Sequence, residues 1–526
     1  MDKAGIQCIV ENDRALRRQL FARGFVFTDM NIDTKEYPFY DEWQIQYIDT
    51  YLLLVSPNQH AYVISRGTIT AILIGHAYNP FLMIHDENII LDNLLNVYSK
   101  QVFEINDNAF WHNINELTGV FTLILLDGND TYVIGDASGM QTAFYTVQRD
   151  KIVVSSHTNL IGDLLDLTWD PYVKHLVSYR FFKLLGNALP GDITQFKEVR
   201  RLIPNHYLRI HTGTVAEMRF YWPHKLCKSN KSIVDEVADL LHENIGLISK
   251  KWTKPAISLT GGCDSKTTLA CANGLYNQFR YFSYVSSEAE KVDADAASGI
   301  CKELGLPHKT YTIPESMEGS ENIAEILNWN TGNIRYSHPE DVRKRMFFAN
   351  TEDFDVEVKS WASEIGRAYY SKRFNGRTDF GGKPTSRKCT TLYKFFLNDR
   401  KLVKQTDDIF DEYLQRFFQQ AKDDPIEWQE QFFWEFRVPS WNGLVITGEH
   451  RYSFDITIPY NNRRILELLL SASIKDRIND MIYKGIRALM NPSIDDTGIS
   501  ISNLKHTNNR AKLENIYYIV HTKLPF

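Results

Sequence analysis

A short segment near the middle of the chain combines residue types that could hold a phosphate group. Residues 256–268 read Ala-Ile-Ser-Leu-Thr-Gly-Gly-Cys-Asp-Ser-Lys-Thr-Thr, so two glycines precede an acidic residue among several hydroxyl side chains. Glycine lets the backbone turn sharply and approach an anion without a Cβ in the way. Amide groups at the start of a following helix attract phosphate. The residues predicted to bind a phosphorylated ligand are Leu259, Thr260, Gly261, Gly262, Asp264 and Ser265.

The same segment could also hold a metal ion, because Asp264 offers a hard carboxylate oxygen of the kind that Mg²⁺ prefers. It is not a Walker loop, since it lacks G-x-x-x-x-G-K-[ST], and it contains no G-x-G-x-x-G pattern. The alternative interpretation is a strand-to-helix turn that needs glycines and a capping aspartate for structural reasons alone.

The surrounding elements must place this segment at the edge of a sheet. An apolar run predicts a buried strand over residues 256–259, and the pattern after the glycines predicts a helix over 264–273. A strand, a helix and another strand are then predicted over 281–285, 295–304 and 308–313. Strands that alternate with helices indicate a parallel sheet. The glycines then lie at the carboxyl end of its first strand, where α/β proteins bind ligands.

The first part of the chain has a different pattern, with short runs of β-branched and aromatic residues between turn residues. Residues 118–134 carry an Asp-Gly-Asn-Asp turn between two such runs, which predicts a β-hairpin. Helical spacing begins at Lys231 and dominates again from about residue 407 to the end. We therefore expect two domains, residues 1–225 and residues 226–526.

The bulk properties are those of an ordinary globular protein, with 43% hydrophobic and 24% charged residues. A net charge of −6 argues against bulk electrostatic binding of nucleic acid or of an anionic membrane surface. The six cysteines form no C-x-x-C pair, which argues against a zinc or redox motif and fits a reducing compartment. No signal-peptide pattern or bilayer-length apolar run is present, so we expect a cytoplasmic protein without nucleic-acid or membrane partners.

The segment Leu-Thr-Gly-Gly-Cys-Asp-Ser at residues 259–265 resembles the S-G-G-x-D-S loop of the asparagine synthetase family, with Thr260 replacing the first serine. Other segments resemble family sequences in the family's order, namely residues 117–127, 135–139, 143–145, 192–208, 219–222, 458–468 and 483–489. The resemblance implies an α/β protein with an N-terminal αββα Ntn-type sandwich that lacks its nucleophile. A C-terminal domain like the adenine-nucleotide α-hydrolases, with a parallel sheet and a helical C-terminal portion, would follow.

The resemblance also implies a chemistry, that of a carbon–nitrogen ligase. ATP and Mg²⁺ would bind at the loop, a carboxylate would be activated as its acyl-adenylate, and an amine or ammonia would then expel AMP. Family members carry a G-E-G-x-D-E-type segment, and residues 360–369 are the best match here. Glu364 is the surviving acid, while Ser363 stands at the metal-binding position. We carry Glu364 over as a catalytic carboxylate, and the alternative interpretation is a glutamate at a helix start that the helix dipole favours.

Synthetases of this kind also use a late lysine to neutralise charge on the departing pyrophosphate, because fixed charge stabilises charge that develops in a reaction. Lys505 is the best positional match for this catalytic lysine, and Lys484 is the fallback. Arg367 is a further cation in a plausible region, and Glu435 is interpreted as a member of a structural ion pair.

The chain start departs from that of glutamine-hydrolysing members, which carry a cysteine directly after the initiator methionine. Residues 3–6 stand in the place of a Met-Cys-Gly-Ile start, and Ala4 has no nucleophile. Cys8 is expected to be a buried strand residue. The N-terminal domain should therefore be a vestigial glutaminase fold, and glutamine should not be the nitrogen source.

Three functions stay open at this point. The first is an amide-forming, AMP-producing ligase acting on small-molecule or peptide carboxylates and amines, as β-lactam synthetases and lasso-peptide cyclases do. The second is a degenerate, non-catalytic nucleotide-binding or partner subunit, which Ser360 and Ser363 favour. The third is another adenylating enzyme, acting on tRNA or a sulfur acceptor, although no basic excess supports it. A homodimer or a complex with a biosynthetic partner protein is equally open.

Overall fold

A computed structural model describes residues 3–11, 13–36, 38–104, 108–148, 151–180, 182, 188–335, 337–349, 351–394, 397–497 and 508–523. The strands of its first part are β1 Phe25–Thr28, β2 Gln44–Ile48, β3 Tyr51–Val55, β4 Ala61–Arg66, β5 Ile69–Tyr78, β6 Thr118–Asp127, β7 Asp130–Gly135, β8 Phe144–Gln148, β9 Lys151–Ser155, β10 Arg200–Arg201, β11 His206–His211 and β12 Thr214–Arg219. The helices of this part are α1 Lys3–Glu11, α2 Arg14–Gln19, α3 Glu87–Val97, α4 Ala109–Glu116, α5 Thr158–Leu165 and α6 Pro171–Ser178.

These strands form two antiparallel sheets that pack face to face. The first has the order β10-β8-β9-β1-β3-β2 and the second the order β12-β11-β7-β6-β5-β4. Strands β6 and β7 pair as the predicted hairpin, with Asp127 opposite Asp130 at its turn. Alternate apolar side chains meet between the sheets, with Phe27 and Leu53 in the same cluster as Ile124.

Helices cover both outer faces of this pair of sheets. Helices α3 and α4 bury Leu91 and Trp111 against the second sheet. Helices α1, α5 and α6 pack on the first sheet, where Ile161 and Leu176 join Leu54 in one cluster. The four layers make an αββα sandwich, so the fold class predicted for the N-terminal part is confirmed.

The chain start differs from the sequence prediction. Residues 3–11 form α1 outside both sheets, and Cys8 is exposed on it, so its prediction as a buried strand residue is wrong. Ile6 and Val10 explain the difference, because these buried side chains are four residues apart, which is the helical period. Ala4 therefore does not begin a strand, and the first strand is β1, which follows Arg23 and Gly24.

The second part of the chain is built around a parallel sheet. Its strands are β13 Pro255–Ser258, β14 Arg280–Val285, β15 His308–Thr312, β16 Val356–Val358 and β17 Asp455–Thr457. They are ordered β15-β14-β13-β16-β17, and every neighbouring pair is parallel. The alternation of strand and helix that the sequence predicts from residue 256 to residue 313 is therefore confirmed.

Helices surround the parallel sheet and make up most of the C-terminal portion, as predicted. The helices are α7 Asn230–Lys251, α8 Cys263–Cys271, α9 Glu288–Glu303, α10 Ser320–Asn330, α11 Pro339–Phe348, α12 Tyr369–Arg373, α13 Ser386–Tyr393, α14 Arg400–Arg416, α15 Trp428–Phe432, α16 Leu444–Gly448, α17 Arg463–Ser471, α18 Ile474–Ile478, α19 Met481–Met490, α20 Ser493–Asp496 and α21 Asn508–Lys523. Within the described ranges, no helix has both the length and the apolar character needed to cross a membrane.

The sandwich and the parallel-sheet part are in direct contact. Tyr78 of β5 and Met140 lie in the same hydrophobic cluster as Ile245 of α7 and Leu468 of α17. Because side chains of both parts share one core, the domain boundary at residue 225 stays a prediction.

Candidate functional site

The glycine loop occupies the point of the parallel sheet where a ligand site is expected. Residues 259–262 leave the carboxyl end of β13, and α8 begins directly after them at Cys263. From β13 the chain adds β14 and β15 toward one edge of the sheet, and it then crosses back to place β16 on the other side of β13. Such a switch point opens a crevice beyond the carboxyl ends of the strands, where α/β proteins bind ligands.

Short hydrogen bonds within the loop fix its shape. The Thr260 N–H donates to Ser265 Oγ (3.2 Å), and Ser265 Oγ donates to the Thr260 carbonyl oxygen (3.1 Å). The Gly262 N–H donates to Thr260 Oγ1 (3.1 Å). A Cβ on Gly262 would lie 3.0 Å from that same Oγ1, which is too close without a shift. The hydroxyls of Thr260 and Ser265 therefore hold the turn, and a larger residue at position 262 would displace the Thr260 hydroxyl by a few tenths of an ångström.

The start of α8 is suited to an anion. Gly262 is its N-cap and supplies no side-chain hydrogen bond to the first amides of the helix. Those amides have no acceptor within a helix, and the helix dipole places partial positive charge at them. The predicted phosphate-binding residues from Leu259 to Ser265 are thus brought together around this helix start.

Asp264 is in the first turn of α8, and its two carboxylate oxygens already have partners. Ser363 Oγ donates to Oδ1 (2.8 Å), and Arg367 Nη1 donates to Oδ2. Ser360 contacts the same helix, with its Oγ 2.7 Å from Oγ1 of Thr268. Ser360 and Ser363, which follow β16, therefore bond to residues of α8. These serines stand where the resembling family has acidic residues.

These residues do not fit a resident Mg²⁺ ion at Asp264. Mg²⁺ needs oxygen ligands in near-octahedral geometry, commonly from one or two carboxylates. Here one oxygen of Asp264 faces the Arg367 guanidinium, and the second family acid is replaced by Ser363. Within the described residues, no group of at least three His, Cys, Asp or Glu side chains is arranged to hold a metal.

Glu364 lies beside the loop, in the short 3₁₀ helix Ser363–Arg367 that follows β16. Its side chain is half-buried. Burial first, and then the nearby negative charge of Asp264, raise the pKa of Glu364 to about 7. A carboxyl group with a pKa near neutrality is a candidate general base. Glu364 follows Ser363, whose hydroxyl donates to Asp264, and its role as a catalytic carboxylate stays a prediction.

Several cations surround the start of α8. Arg367 and Lys372 both pair with Asp480, and both are buried. Arg487 on α19 reaches the loop directly, with Nη1 3.0 Å from Thr267 Oγ1 and 3.2 Å from the Cys263 sulfur. Lys372 and Arg487 were not identified from the sequence. Arg487 lies within the resembling segment 483–489, which was the available signal for it.

Of the two predicted lysines, the structure describes only Lys484. Lys505 lies outside the described residues and stays a prediction. Lys484, the fallback, is exposed on α19. Glu435 is buried and paired with Arg219, with 2.7 Å between Oε1 and Nη1, so its interpretation as a structural ion pair is confirmed.

Comparison with curated proteins gives a partial likeness. No family model matches the chain. The amidase chyE of Penicillium rubens is 29% identical over 175 residues, which cover 31% of this chain and 25% of that protein. The match therefore spans a quarter of the length of this curated relative.

Likenesses to solved structures are weak. Glutamine phosphoribosylpyrophosphate amidotransferase from B. subtilis, complexed with ADP and GMP, is 10% identical with a TM-score of 0.21, over 68% of this chain and 73% of that one. Glutamine-dependent NAD⁺ synthetase from Acinetobacter baumannii, in complex with ADP, is 10% identical with a TM-score of 0.20, over 46% of this chain and 58% of that one. At these TM-scores the fold rests on the sheet orders of the chain itself.

Proposed function

We propose that this chain is an ATP-dependent ligase that joins a carboxylate to an amine and releases AMP and pyrophosphate. The observation that carries the proposal is the glycine loop 259–265 at the switch point of a parallel sheet, with Glu364 beside it. The partial likeness to a protein named as an amidase agrees with chemistry at a carbon–nitrogen bond.

In the proposed first step, an oxygen of the substrate carboxylate attacks the α-phosphorus of ATP. The bond from that phosphorus to the oxygen bridging the β-phosphate breaks, which gives the acyl-adenylate and pyrophosphate. The open amides of α8 bind phosphate oxygens, and the guanidinium of Arg487 lies at the same helix turn. Binding both reactants in one orientation supplies much of the rate.

In the proposed second step, an amine nitrogen attacks the acyl carbon, and the bond to the AMP oxygen breaks. The nitrogen loses a proton when the amide forms, and ionised Glu364 accepts it. The nitrogen source is an amine or ammonia rather than glutamine. Ala22, Arg23 and Gly24, which precede β1, include neither a thiol nor a hydroxyl nucleophile.

One observation favours a second candidate, a nucleotide-binding subunit without ligase activity. Asp264 is already bonded to Arg367 and Ser363, whereas an active member of the resembling family would use acids here. A subunit of this kind would bind ATP at the loop and leave it uncleaved.

Incubation with ATP labelled at its α-phosphate, a panel of carboxylates and hydroxylamine as the amine tests the proposal. The expected products are labelled AMP, pyrophosphate and a hydroxamate in equal amounts. Formation of ADP would contradict an adenylate, because it places the cleavage between the β- and γ-phosphates. ATP binding without turnover of any carboxylate would support the second candidate, and absence of ATP binding would contradict both.

A further inference from the structure

Arg367 has an unusual position for a cation beside a phosphate loop, because it is buried and held at three of its nitrogens. Its side chain is 6% exposed. Nη1 donates to Asp264, while Nε and Nη2 donate to the two carboxylate oxygens of Asp480 (2.9 and 3.1 Å). A guanidinium has five N–H donors, so these bonds leave two of them for another acceptor.

The surroundings keep this guanidinium in place. Asp480 directly precedes α19, and the carbon at the centre of the guanidinium lies 5.8 Å from the centre of the Tyr483 ring on that helix. The hydroxyl of Tyr483 donates to the backbone oxygen of Ser363 (2.6 Å), which ties the helix of Arg367 to α19. The two-pronged bond to Asp480 therefore fixes the guanidinium independently of Asp264.

The charge at this position is permanent. Burial alone would lower the pKa of Arg367, but Asp264 and Asp480 raise it above its ordinary value. Lys372, also bonded to Asp480, adds a second buried cation nearby. A divalent cation on Asp264 would have to displace Arg367 from that carboxylate and remain close to like charge.

We propose that Arg367 is the fixed cation of the phosphate loop, so that ATP binds at residues 259–265 without a metal ion on Asp264. The proposal rests on the proposed function in one respect, that the loop binds ATP. The two donors outside the bonds to Asp264 and Asp480 are the groups that reach a phosphate oxygen, and a planar guanidinium suits phosphate.

Equilibrium dialysis of labelled ATP against the full chain, with either Mg²⁺ or excess EDTA, tests the proposal without any acceptor substrate. Wild-type protein should bind ATP in EDTA with a Kd within about threefold of its Kd in Mg²⁺, since the cation is part of the chain. Binding that is more than about threefold weaker in EDTA would overturn the proposal.

Two variants sharpen the test. Arg367→Gln should weaken binding in EDTA by about tenfold or more, and Mg²⁺ should restore part of it because Asp264 is then unpaired. Asp264→Asn should tighten binding in EDTA, because it removes a negative charge near the phosphates and frees Nη1 of Arg367. If Asp264 were instead a metal ligand, Asp264→Asn would weaken binding in Mg²⁺, which would overturn the proposal.

Arg387→Gln is the matched control, because Arg387 also pairs with an aspartate, Asp407, but on the helices α13 and α14. It should leave the Kd for ATP unchanged in both conditions, whereas a loss equal to that of Arg367→Gln would overturn the specific role of Arg367. If Arg367→Gln does not fold, Asp264→Asn decides between the two roles of Asp264, because tighter and weaker ATP binding are the opposite results expected for them.

The outcomes also separate this proposal from the proposed function. Metal-independent ATP binding without AMP formation would contradict the ligase activity and leave Arg367 as the cation of the loop. Absence of ATP binding in both conditions would overturn the ligase proposal and the proposal for Arg367.

Discussion

Glu364 is the residue of the site that changes charge close to neutral pH. It lies beside Asp264, and burial together with that charge raises its pKa to about 7. The carboxylate form is the one that can accept a proton from the attacking amine. Below pH 7 most molecules carry the protonated form, so the proposed second step should slow as the pH falls.

We therefore expect ligase activity with hydroxylamine to rise with pH through an inflection at about 7. Glu364→Gln should lower the rate by about 10²–10⁴-fold and remove this inflection, because general-base catalysis is lost. Initial rates of hydroxamate formation from about pH 5.5 to about pH 8.5, roughly 1.5 units on either side of the expected inflection, measure both effects. An unchanged inflection in the variant would assign the titration to another group.

The stability of the same variant provides the control for folding. A carboxyl whose folded pKa is raised destabilises the fold once the unfolded chain ionises, so this cost is absent at low pH and fully present above the folded pKa. Glu364→Gln should therefore have a Tm at pH 8 at least equal to that of wild type. A fall in Tm at pH 8 would mean that the lost activity reflects unfolding.

At the scale of elements, the β13–α8 turn depends on the close approach at Gly262. A Cβ there would press on Thr260 Oγ1, which accepts the Gly262 N–H and contacts Ser265 Oγ at 3.0 Å. Gly262→Ala should shift the Thr260 hydroxyl by a few tenths of an ångström and weaken ATP binding by about threefold or more, since this hydroxyl holds the turn that leads into the amides of α8.

Gly382→Ala is the matched control for this change. Gly382 is exposed, and of the described residues none has an atom within 4 Å of a Cβ built on it. Its Kd for ATP should equal that of wild type, and both variants should unfold within about 1 kcal/mol of wild type in urea. Equal affinity of the Gly262 and Gly382 variants would show that the turn does not shape the nucleotide site.

The same turn shows what the sequence predicts well. Residues 256–259 form an apolar run directly before two glycines, and a local pattern of this kind is enough to place a strand, a turn and a helix. The chain start could not be placed in this way. Its Gly5-Ile6 resembles a strand start of the family, but the spacing of Ile6 and Val10 makes a helix.

Only those site residues that belong to a recognisable sequence motif were predictable. The loop and Glu364 belong to recognisable segments, and the structure brings them together. Arg367 as the partner of Asp264 was not predictable, because 103 positions separate these residues and a parallel sheet joins them only after folding. Lys372 likewise acquires its place from Asp480, which no local pattern indicates.

At the scale of the whole molecule, a buried group of charges joins the sandwich to the parallel sheet. Asp455 on β17 lies 3.0 Å from Arg451 Nε, 3.6 Å from Arg23 Nη1 and 3.5 Å from His76 Nδ1. Arg451 also donates to Gln59 Oε1 (2.9 Å). Because Arg23, His76 and Gln59 belong to the sandwich, the ionised Asp455 holds the two parts together.

The pKa of Asp455 gives this contact a pH dependence. Burial would raise it, but Arg451, Arg23 and His76 lower the pKa of Asp455 well below its ordinary range. A carboxylate whose pKa is lower in the folded than in the unfolded protein stabilises the fold at any pH above its unfolded pKa. This stabilisation is lost as the pH falls through the folded pKa. The contact should therefore have full strength at pH 5–7 and weaken below about pH 4.

Asp455→Asn should lower the free energy of unfolding at pH 7 by about 3–5 kcal/mol, because it leaves the buried Arg451 and the half-buried Arg23 without this counter-charge. Urea denaturation at pH 7, 5 and 4 measures this, and the difference from wild type should shrink only at the lowest pH. Asp353→Asn is the control, since Asp353 pairs with Lys309 at the surface, with side chains 44% and 59% exposed. That change should cost under about 1 kcal/mol. Equal effects of the two substitutions would mean that the buried charges do not join the sandwich to the parallel sheet.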